Sequence, residues 1–599
     1  MSDSFDPTNI DENIKCSLTS FFSATLDNIY FEPSYKQFKA QFTGNLLKYL
    51  NLDNQYYENS IQVSRESLIE TLKNFQLFRK DPYSIPLFLL TFSIKDGEYD
   101  ARNLFLIRNI NQCLKLNTIS FEKYEDSMIN LINQIPQQEK GVFKSNKMKK
   151  YCKIAGATII GGTLLGVTGG LIAPFLAASS GIILGSAGAT LLGTTAGVSI
   201  IGSLFGLTGA TLTGYKMKQR AGALEEFRFE RIGTNSNRKR STLAITVAVS
   251  GWVSKDCDFA TPWRDLRITR EAYTLRWDGR HLQRFGHGMD YLVSWAASTV
   301  VQEILQETVL AALMASVSWP LTLVSLAGVI DNPWGVCFTR AREAGLELAN
   351  VLITGVAGRR PVTLIGFSLG ARVIYHALEF LCQLLSPPKG TKSTAMARGG
   401  SAKSVGGRCI DSQLKPCSSE GSLLQIFSPK RHLVPDAKKY TDHIYLLEPR
   451  SDKNNLTPNK SSDNLNLNDS YSNNLATADT DLCLKGKDPR GVIADVILMG
   501  APIPSHDDST YGAWMDVVGG TVTNCYCTKD WILSFLYRTS SAQISIAGLE
   551  PLTLTLEGQQ HPRLINVNLT SVVTGHNDYV GKMPDILKTL GYHAISYQD

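Results

Sequence analysis

A serine lies between two glycines in the segment PVTLIGFSLGARVIYHAL, residues 361–378. Gly366, Ser368 and Gly370 have the G-x-S-x-G spacing of a nucleophile elbow, a tight turn that presents a serine hydroxyl above a sheet. The apolar run PVTLI predicts a strand before this turn, and ARVIYHALEFLCQLL predicts a helix after it. This context favours Ser368 as a nucleophile over a serine in an ordinary glycine-flanked turn.

A serine hydroxyl becomes a good nucleophile only when a base takes its proton, so a histidine must lie near it in the fold. His576 follows the last strand-like run, on a glycine-preceded loop in LTSVVTGHNDYV, and we select it as the base. His506 is the main rival. His561 and His593 stand behind it, and all three are interpreted as surface residues, whereas His376, on the helix after the elbow, is expected to point away.

The base needs a carboxylate to orient it, in the chain order Ser, Asp, His. Asp530 stands three residues after the run TVTNCYC and directly before a predicted helix, which is where such an acid is expected. An aspartate at this position also suits the N-cap of that helix, so both roles stay open. Asp507 and Asp508, after the strand-like run ILMG, are the alternatives.

Attack on a carbonyl also needs two backbone N–H donors for the negative charge that develops on oxygen. Leu369, the residue after the nucleophile, supplies one of them. The segment VAVSGWVSKD offers the second as the Trp252 amide, with Gly251 allowing the turn. This chemistry requires no metal and no cofactor, and we expect neither.

Residues 154–215 contain no charged side chain, a run of 62 residues with 15 glycines. A single membrane span needs only about 20 apolar residues, and glycines at small-xxx-small spacing let helices approach closely in lipid. Lysines flank the run on both sides, which places both ends in the cytosol and requires an even number of spans. We predict a transmembrane hairpin at 144–220, with helices near 154–175 and 182–213; the alternative is a buried hairpin of a soluble protein.

The remaining sequence predicts an N-terminal α-helical domain at 1–143 and an α/β domain in two parts, 232–385 and 488–599. Six short apolar or β-branched runs alternate with helical stretches in these two parts, which is typical of a mostly parallel sheet. Helices are predicted at 338–356 and after the elbow. An apolar helical cap is predicted at 281–335; its uncharged stretch at 308–330 is long enough for a third membrane span, the alternative interpretation.

Residues 386–487 are rich in Ser, Asn, Lys and Gly, and such sequence buries too little apolar surface to offset the entropy of ordering. We therefore expect a disordered polar insertion in the α/β domain, with room for binding sites for protein partners.

The composition narrows the function classes. A net charge of +6 over 599 residues does not indicate nucleic-acid binding. The 11 cysteines include no C-x-x-C pair, which argues against a disulfide framework or a zinc module and fits a reducing compartment. The polar, acidic start of the chain does not resemble a secretory signal peptide.

Several segments together resemble one family: GFSLGARVIYHAL, DNPWGVCFTRAREAGLELA, VILMGAP, NCYCTKDWILSFLYR and VTGHNDYV, after a glycine-rich hydrophobic hairpin. They resemble the transmembrane and coiled-coil domain-containing protein 4 family over residues 150–385 and 488–599. The resemblance implies a membrane-anchored protein with an α/β-hydrolase-type fold and a triad at Ser368, Asp530 and His576. The long polar insertion departs from the family, and the absence of a heptad run gives no support to a coiled coil.

The sequence therefore predicts a multi-pass membrane protein whose N-terminal and hydrolase domains are cytosolic and which hydrolyses an ester, with membrane lipids or acyl esters as substrates. The main alternative is a non-catalytic membrane adaptor in trafficking, which would act through the insertion and the N-terminal domain. A hairpin that forms a pore or remodels membranes is a third hypothesis.

Overall fold

The computed structural model describes residues 11–53, 65–75, 78–79, 81–118, 120–122, 124–125, 204, 212, 224–232, 242–266, 271–296, 321–356, 358–385, 487–540, 545–556 and 558–591. All of them belong to one compact unit, which comprises Met1–Pro387 and Asp481–Asp599. Apart from Leu204, Leu212 and Lys487, the predicted hairpin and the polar insertion lie outside the described residues.

Seven strands form one sheet in the order β1-β3-β2-β4-β5-β6-β9. β1 pairs antiparallel with β3, and the other five neighbouring pairs are parallel. A separate two-stranded ribbon is formed by β7 and β8. The bounds are Phe227–Arg231 (β1), Ile245–Val249 (β2), Glu271–Trp277 (β3), Val362–Phe367 (β4), Ile493–Met499 (β5), Val522–Tyr526 (β6), Thr555–Leu556 (β7), Gln559–Gln560 (β8) and Leu564–Asn568 (β9).

The six strand-like runs of the sequence all occur as strands of this sheet, so the predicted mostly parallel sheet is confirmed. Every residue of β2, β3, β4 and β5 is buried, which is why these strands read as continuous apolar runs without alternation. β1 was not predicted, and it lies before the predicted domain boundary at 232. β1 is an edge strand in which Phe227 and Phe229 are buried while Arg228 is exposed.

Among the described residues, five helices precede β1, five lie between β3 and β9 in the chain, and one follows β9. The helices predicted at 338–356 and after the elbow flank the sheet, whereas the cap predicted at 281–335 stays a prediction. The bounds are Glu12–Ile29 (α1), Lys36–Leu50 (α2), Arg65–Asn74 (α3), Ser84–Ile94 (α4), Ala101–Cys113 (α5), Gly279–Ala296 (α6), Leu321–Thr354 (α7), Leu369–Leu385 (α8), Asp508–Val517 (α9), Trp531–Ser540 (α10) and Asp578–Thr589 (α11).

The segment predicted as a cap differs from expectation in its boundaries. α7 continues through Pro333, so the expected cap end at 335 and the helix expected at 338–356 belong to one helix. A proline costs its helix one backbone hydrogen bond, and the Trp334 ring, 5.5 Å from the Phe285 ring of α6, packs α7 against its neighbour at this point. No helix within the described ranges is both long and apolar enough to cross a membrane, and residues 297–320 lie outside them.

The N-terminal helices pack against the end of the sheet at which the parallel strands begin. The Tyr99 amide donates to the Arg359 carbonyl at 2.9 Å, and the Ala101 amide donates to the Gly491 carbonyl at 2.8 Å. Both acceptors stand shortly before strands, β4 and β5 respectively. The predicted helical segment is therefore part of the same compact unit as the sheet.

One buried ion pair fastens α5 to the sheet. Asp495 in β5 is 2% exposed and accepts from Arg108 Nη1 at 2.6 Å. The same carboxylate accepts from the Thr521 amide at 3.1 Å. A carboxylate buried to this degree is stable only with such partners.

A second polar cluster joins the turn after α1 to the residues before β9. Glu32 accepts from His561 Nε2 at 3.0 Å and from the Arg563 guanidinium. Although burial opposes it, these two partners hold the pKa of Glu32 below its usual range. Arg563 also donates to the carbonyls of Met515 and Val518, both at 2.9 Å, and so holds the end of α9.

Replacing Asp495 by alanine should lower the free energy of unfolding by about 2–4 kcal/mol, because Arg108 and Thr521 lose a buried acceptor. The matched control is Asp585→Ala, which breaks an exposed pair with Lys582 at 3.9 Å and should change stability by no more than about 0.5 kcal/mol. Urea denaturation of the two variants measures the difference, and equal stability would contradict the anchoring role of Asp495.

Candidate active site

The segment around Ser368 forms a sharp turn between β4 and α8. Ser368 has a φ of 57°, which is in the left-handed region that residues other than glycine rarely adopt. Its amide donates to the Met499 carbonyl at the end of β5 at 3.0 Å, and its carbonyl accepts from the Ala371 amide at 2.9 Å. Backbone strain of this kind persists only where neighbouring bonds hold it, and it is concentrated at functional turns.

Glycines surround this turn because there is no room for side chains. A Cβ on Gly366 would lie 2.6 Å from Ala371 Cα, and one on Gly370 would lie 2.0 Å from the Val249 carbonyl oxygen. A Cβ on Gly251 would lie 2.1 Å from the Gly370 nitrogen and 2.2 Å from the Leu369 nitrogen. The loop after β2 thus lies directly against the first turn of α8.

The structure brings the three residues selected from the sequence into one hydrogen-bonded chain. Ser368 Oγ lies 2.8 Å from His576 Nε2, and His576 Nδ1 lies 2.6 Å from Asp530 Oδ2. The three residues stand 46 or more positions apart in the chain and are 1–3% exposed. Serine, imidazole and carboxylate in this order are the arrangement in which a histidine can take the serine proton while a carboxylate orients the ring.

Asp530 uses both of its carboxylate oxygens. Oδ2 contacts the imidazole, and Oδ1 accepts from the Leu533 amide at 3.0 Å in the first turn of α10. The two roles that the sequence left open are therefore compatible. The helix fixes the carboxylate, and the carboxylate fixes the ring of His576.

Aromatic rings hold the imidazole from its faces. The Trp252 ring stacks on His576 with centroids 5.5 Å apart, and the Phe367 ring does so at 5.1 Å. Gly500, with a φ of 51°, passes close by: a Cβ there would lie 3.0 Å from His576 Cε1. Sequence reasoning considered only the amide of Trp252 and missed Phe367 and Gly500, because spacing does not tell which ring faces a histidine far along the chain.

Tyr579 lies behind the imidazole, with its ring stacked on Phe367 at 5.1 Å. Burial, and then the nearby Asp530 carboxylate, raise the pKa of the Tyr579 phenol well above its usual range. Its hydroxyl has no hydrogen-bond partner within the described part of the chain. The phenol therefore keeps its proton at neutral pH.

The rival residues have other contacts. His506 is exposed and pairs with Thr553 Oγ1 at 3.0 Å, and Asp507 caps α9 by accepting from the Thr510 amide at 3.0 Å. Asp508 follows it as an exposed residue in the first turn of α9. His561 is buried against Glu32, so its interpretation as a surface residue is wrong. His593 lies outside the described residues.

His376 faces α7 rather than the serine. A Cβ on Gly345 of α7 would lie 2.7 Å from His376 Cβ, and His376 Nδ1 lies 2.9 Å from Glu379 Oε2. Burial lowers the pKa of this imidazole to about 4, although the Glu379 carboxylate acts in the opposite direction.

One group of side chains within the described residues has the spacing of metal ligands: Glu225, Asp278 and His281 lie with ligand atoms within 4.8 Å of one another. Arg340 Nε lies 3.4 Å from Asp278 Oδ2 and already supplies a positive charge there. His281 belongs to α6, and Asp278 immediately precedes this helix.

Comparison with known proteins adds a family to this geometry. The model of a family described as protein of unknown function, DUF726, matches residues 146–386 and 481–593. The chain belongs to the DUF726 family. No solved structure gives a significant match.

Three curated proteins are similar to this chain over most of its length. An uncharacterized membrane protein of Caenorhabditis elegans is 32% identical over 84% of this chain and 65% of its own length. The transmembrane and coiled-coil domain-containing protein STS1 of Oryza sativa subsp. japonica is 29% identical over 82% of this chain and 61% of its own length. The probable lipase MIL1 of Saccharomyces cerevisiae is 26% identical over 85% of this chain and 38% of its own length.

The chain thus spans less than two thirds of the length of each of these relatives. The predicted family resemblance is shown in part: the chain belongs to the DUF726 family, and its relatives include proteins named membrane proteins and a protein named a probable lipase. The finer assignment to the transmembrane and coiled-coil domain-containing protein 4 family stays a prediction.

Gly251→Ala should lower the free energy of unfolding by about 1–3 kcal/mol, because the added methyl group would overlap backbone atoms of Leu369 and Gly370. Gly512→Ala in α9 is the matched control, since its Cβ would approach Leu554 only to 4.0 Å. This second change should leave stability equal or raise it by about 0.5–1 kcal/mol. Thermal unfolding distinguishes the two, and a neutral Gly251→Ala would contradict the close approach.

His376 should make the protein less stable in mild acid. Its pKa in the fold, about 4, is below its ordinary value of 6.5, so the unfolded chain binds more protons between these values and stability falls as the pH drops. Between pH 7 and pH 5 the loss should be about 2 kcal/mol. Denaturation of His376→Leu over this range should show a flatter profile, and an unchanged profile would contradict the assignment.

Proposed function

We propose that this protein is a membrane-anchored serine hydrolase that cleaves an ester of a lipid or another acyl compound. The observation that carries the proposal is the buried chain from Ser368 Oγ through His576 to Asp530 Oδ2, with distances of 2.8 and 2.6 Å. A serine in an ordinary turn needs neither a left-handed backbone nor two ordered partners. The proposed machinery requires no cofactor.

The topology supports an α/β-hydrolase-type fold. In that fold the nucleophile follows a central strand, the second oxyanion donor follows an earlier strand, and the acid and base follow later strands. Here Ser368 follows β4, Gly251 follows β2, Asp530 follows β6 and His576 follows β9. β2 and β4 are neighbours in the sheet, as are β6 and β9, so the four loops meet at the carboxyl ends of the strands.

The proposed reaction begins with proton transfer. His576 Nε2 takes the proton from Ser368 Oγ while Oγ attacks the ester carbonyl carbon, and Asp530 stabilises the imidazolium that forms. The tetrahedral intermediate expels the alcohol, which takes the proton from His576, and leaves an acyl-serine. Water, activated by the same imidazole, then attacks the acyl carbon and releases the acid and free Ser368.

The carbonyl oxygen becomes negative in each tetrahedral intermediate. We assign its stabilisation to the amides of Leu369 and Trp252, with Gly251 allowing the two segments to approach. Gly251 lies against the Leu369 nitrogen, as this role needs. Ser368 is only 1% exposed, so the proposed reaction takes place away from bulk water.

The substrate class and the location rest on the sequence and the relatives. The charge-free run at 154–215 favours a two-helix anchor with the N-terminal helices and the hydrolase part in the cytosol. Relatives are named membrane proteins, and one is named a probable lipase. A hydrolase held at a bilayer meets acyl lipids at high local concentration, which favours lipid esters over soluble ones.

The adaptor hypothesis differs in what it requires of the site. A scaffold gains nothing from a strained serine aligned with a buried imidazole and carboxylate. The observed arrangement therefore favours catalysis, and the predicted insertion at 386–487 is left as a place for protein partners.

Full-length protein in membranes should react with a fluorophosphonate probe at Ser368. Ser368→Ala should abolish labelling, whereas Ser294→Ala, on an exposed part of α6, should label as the wild type does. Asp530→Asn should slow labelling by about 10²–10⁴-fold through a misoriented imidazole. Asparagine caps helices as well as aspartate does, so α10 should keep its cap and the melting temperature should change little.

Labelling that persists in Ser368→Ala would contradict the proposal. The corresponding cellular measurement compares lipid composition in cells that express wild-type protein or Ser368→Ala. Equal lipid composition, together with no labelling of the wild type, would favour the adaptor.

A further inference from the structure

Ser250 is the last residue before the Gly251-Trp252 turn, and it is completely buried. Its carbonyl accepts from Trp277 Nε1 at 3.0 Å, and its hydroxyl accepts from Trp263 Nε1 at 2.8 Å. The hydroxyl also donates to the Phe259 carbonyl at 3.2 Å. Both tryptophans are fully buried, so these bonds are formed away from water.

The same bonds connect the turn to the neighbouring strand. Trp277 is the last residue of β3, which is paired with β2 in parallel. Thr274, also in β3, donates through Oγ1 to the Phe259 carbonyl at 2.6 Å, the same carbonyl that accepts from Ser250. Ser250 is therefore held from two directions by groups on rigid or buried segments.

The turn at Gly251 and Trp252 can move very little without disturbing its neighbours. Gly251 lies against the nitrogens of Leu369 and Gly370, and the Trp252 ring lies on the imidazole of His576. A shift of a few tenths of an ångström at Ser250 would change both approaches. Catalytic donors are effective only when they are already in place as charge develops.

We propose that the indole N–H groups of Trp263 and Trp277 are positioning groups for the catalytic turn: they hold Ser250, and through it they fix the Trp252 amide and ring. This inference rests on the proposed hydrolase function. Trp263 and Trp277 do not touch the reacting atoms and act through Ser250.

Tryptophan in a core is usually explained by packing alone, so the test must remove the N–H and keep an aromatic ring. Trp263→Phe and Trp277→Phe do this. The chain offers a matched control in Trp514→Phe, because Trp514 of α9 is also fully buried but its Nε1 has no hydrogen-bond partner within the described residues. The three variants share the same change in ring size.

The first measurement is the rate of fluorophosphonate labelling at Ser368, with the melting temperature recorded for each variant. Loss of one oxyanion donor typically costs about 10²–10³-fold in rate, and a loosened donor should cost less. We expect Trp263→Phe and Trp277→Phe to label about 5–50-fold more slowly than Trp514→Phe at comparable melting temperatures. Equal labelling rates in the three variants would overturn the inference.

The second measurement does not depend on catalysis. Amide hydrogen exchange in a peptide covering residues 245–253 should be faster in Trp263→Phe and Trp277→Phe than in Trp514→Phe, because the turn is released. Unchanged exchange there would overturn the inference even in an active enzyme. If the wild type is not labelled at all, the proposed function fails, and the exchange experiment still decides whether the two indoles hold the turn.

Discussion

At the carboxyl ends of β2 and β4, the backbone of Gly251 lies so close to α8 that a methyl group there would fall 2.1 Å from one amide nitrogen and 2.2 Å from the next. This approach is possible because β2 and β4 are neighbours in a parallel sheet and end at the same level. It also requires glycine at positions 251 and 370, where a Cβ would overlap backbone atoms. The strained conformation of Ser368, the position of Leu369 and the stacking of Trp252 on the imidazole all depend on it.

The sequence was most informative where the hydrophobic pattern of a segment follows directly from its buried position in the fold. Strands buried on both faces have apolar sequences, so the central sheet could be predicted. The residues that follow these runs lie together at the carboxyl ends of the strands. Chain order then selected Asp530 and His576 among several candidates, since each follows a strand. His576 lies within hydrogen-bond distance of both Ser368 and Asp530, while the catalytic roles of the three residues stay proposals.

Contacts between distant segments could not be predicted in the same way. The edge strand β1 is short and half exposed, so its pattern is weak. His561 looked like a surface residue because its partner, Glu32, is 529 positions away. The indoles of Trp263 and Trp277 carry no signal that distinguishes a hydrogen-bonded ring from a packed one. The boundary predicted between the cap at 281–335 and the helix at 338–356 is absent, because one helix continues from Leu321 to Thr354.

The carboxyl and amino ends of the parallel strands contact different parts of the protein. The carboxyl ends of the strands carry the serine, the imidazole and the carboxylate. The amino ends are covered by the N-terminal helices through Asp495, Arg563 and several backbone carbonyls. The N-terminal helices thus stabilise the sheet through hydrogen bonds and ion pairs with residues several hundred positions further along the chain.

This has a consequence for how the protein can be divided. A shortened chain that begins after residue 143 would leave the Asp495 carboxylate without Arg108 and the Arg563 guanidinium without Glu32. Such a fragment would expose the apolar surface now covered by α1–α5 and would fold poorly. If such a truncation abolished a cellular function, the cause would be the destabilised sheet. Point substitutions are therefore better suited to testing the function of the first 143 residues.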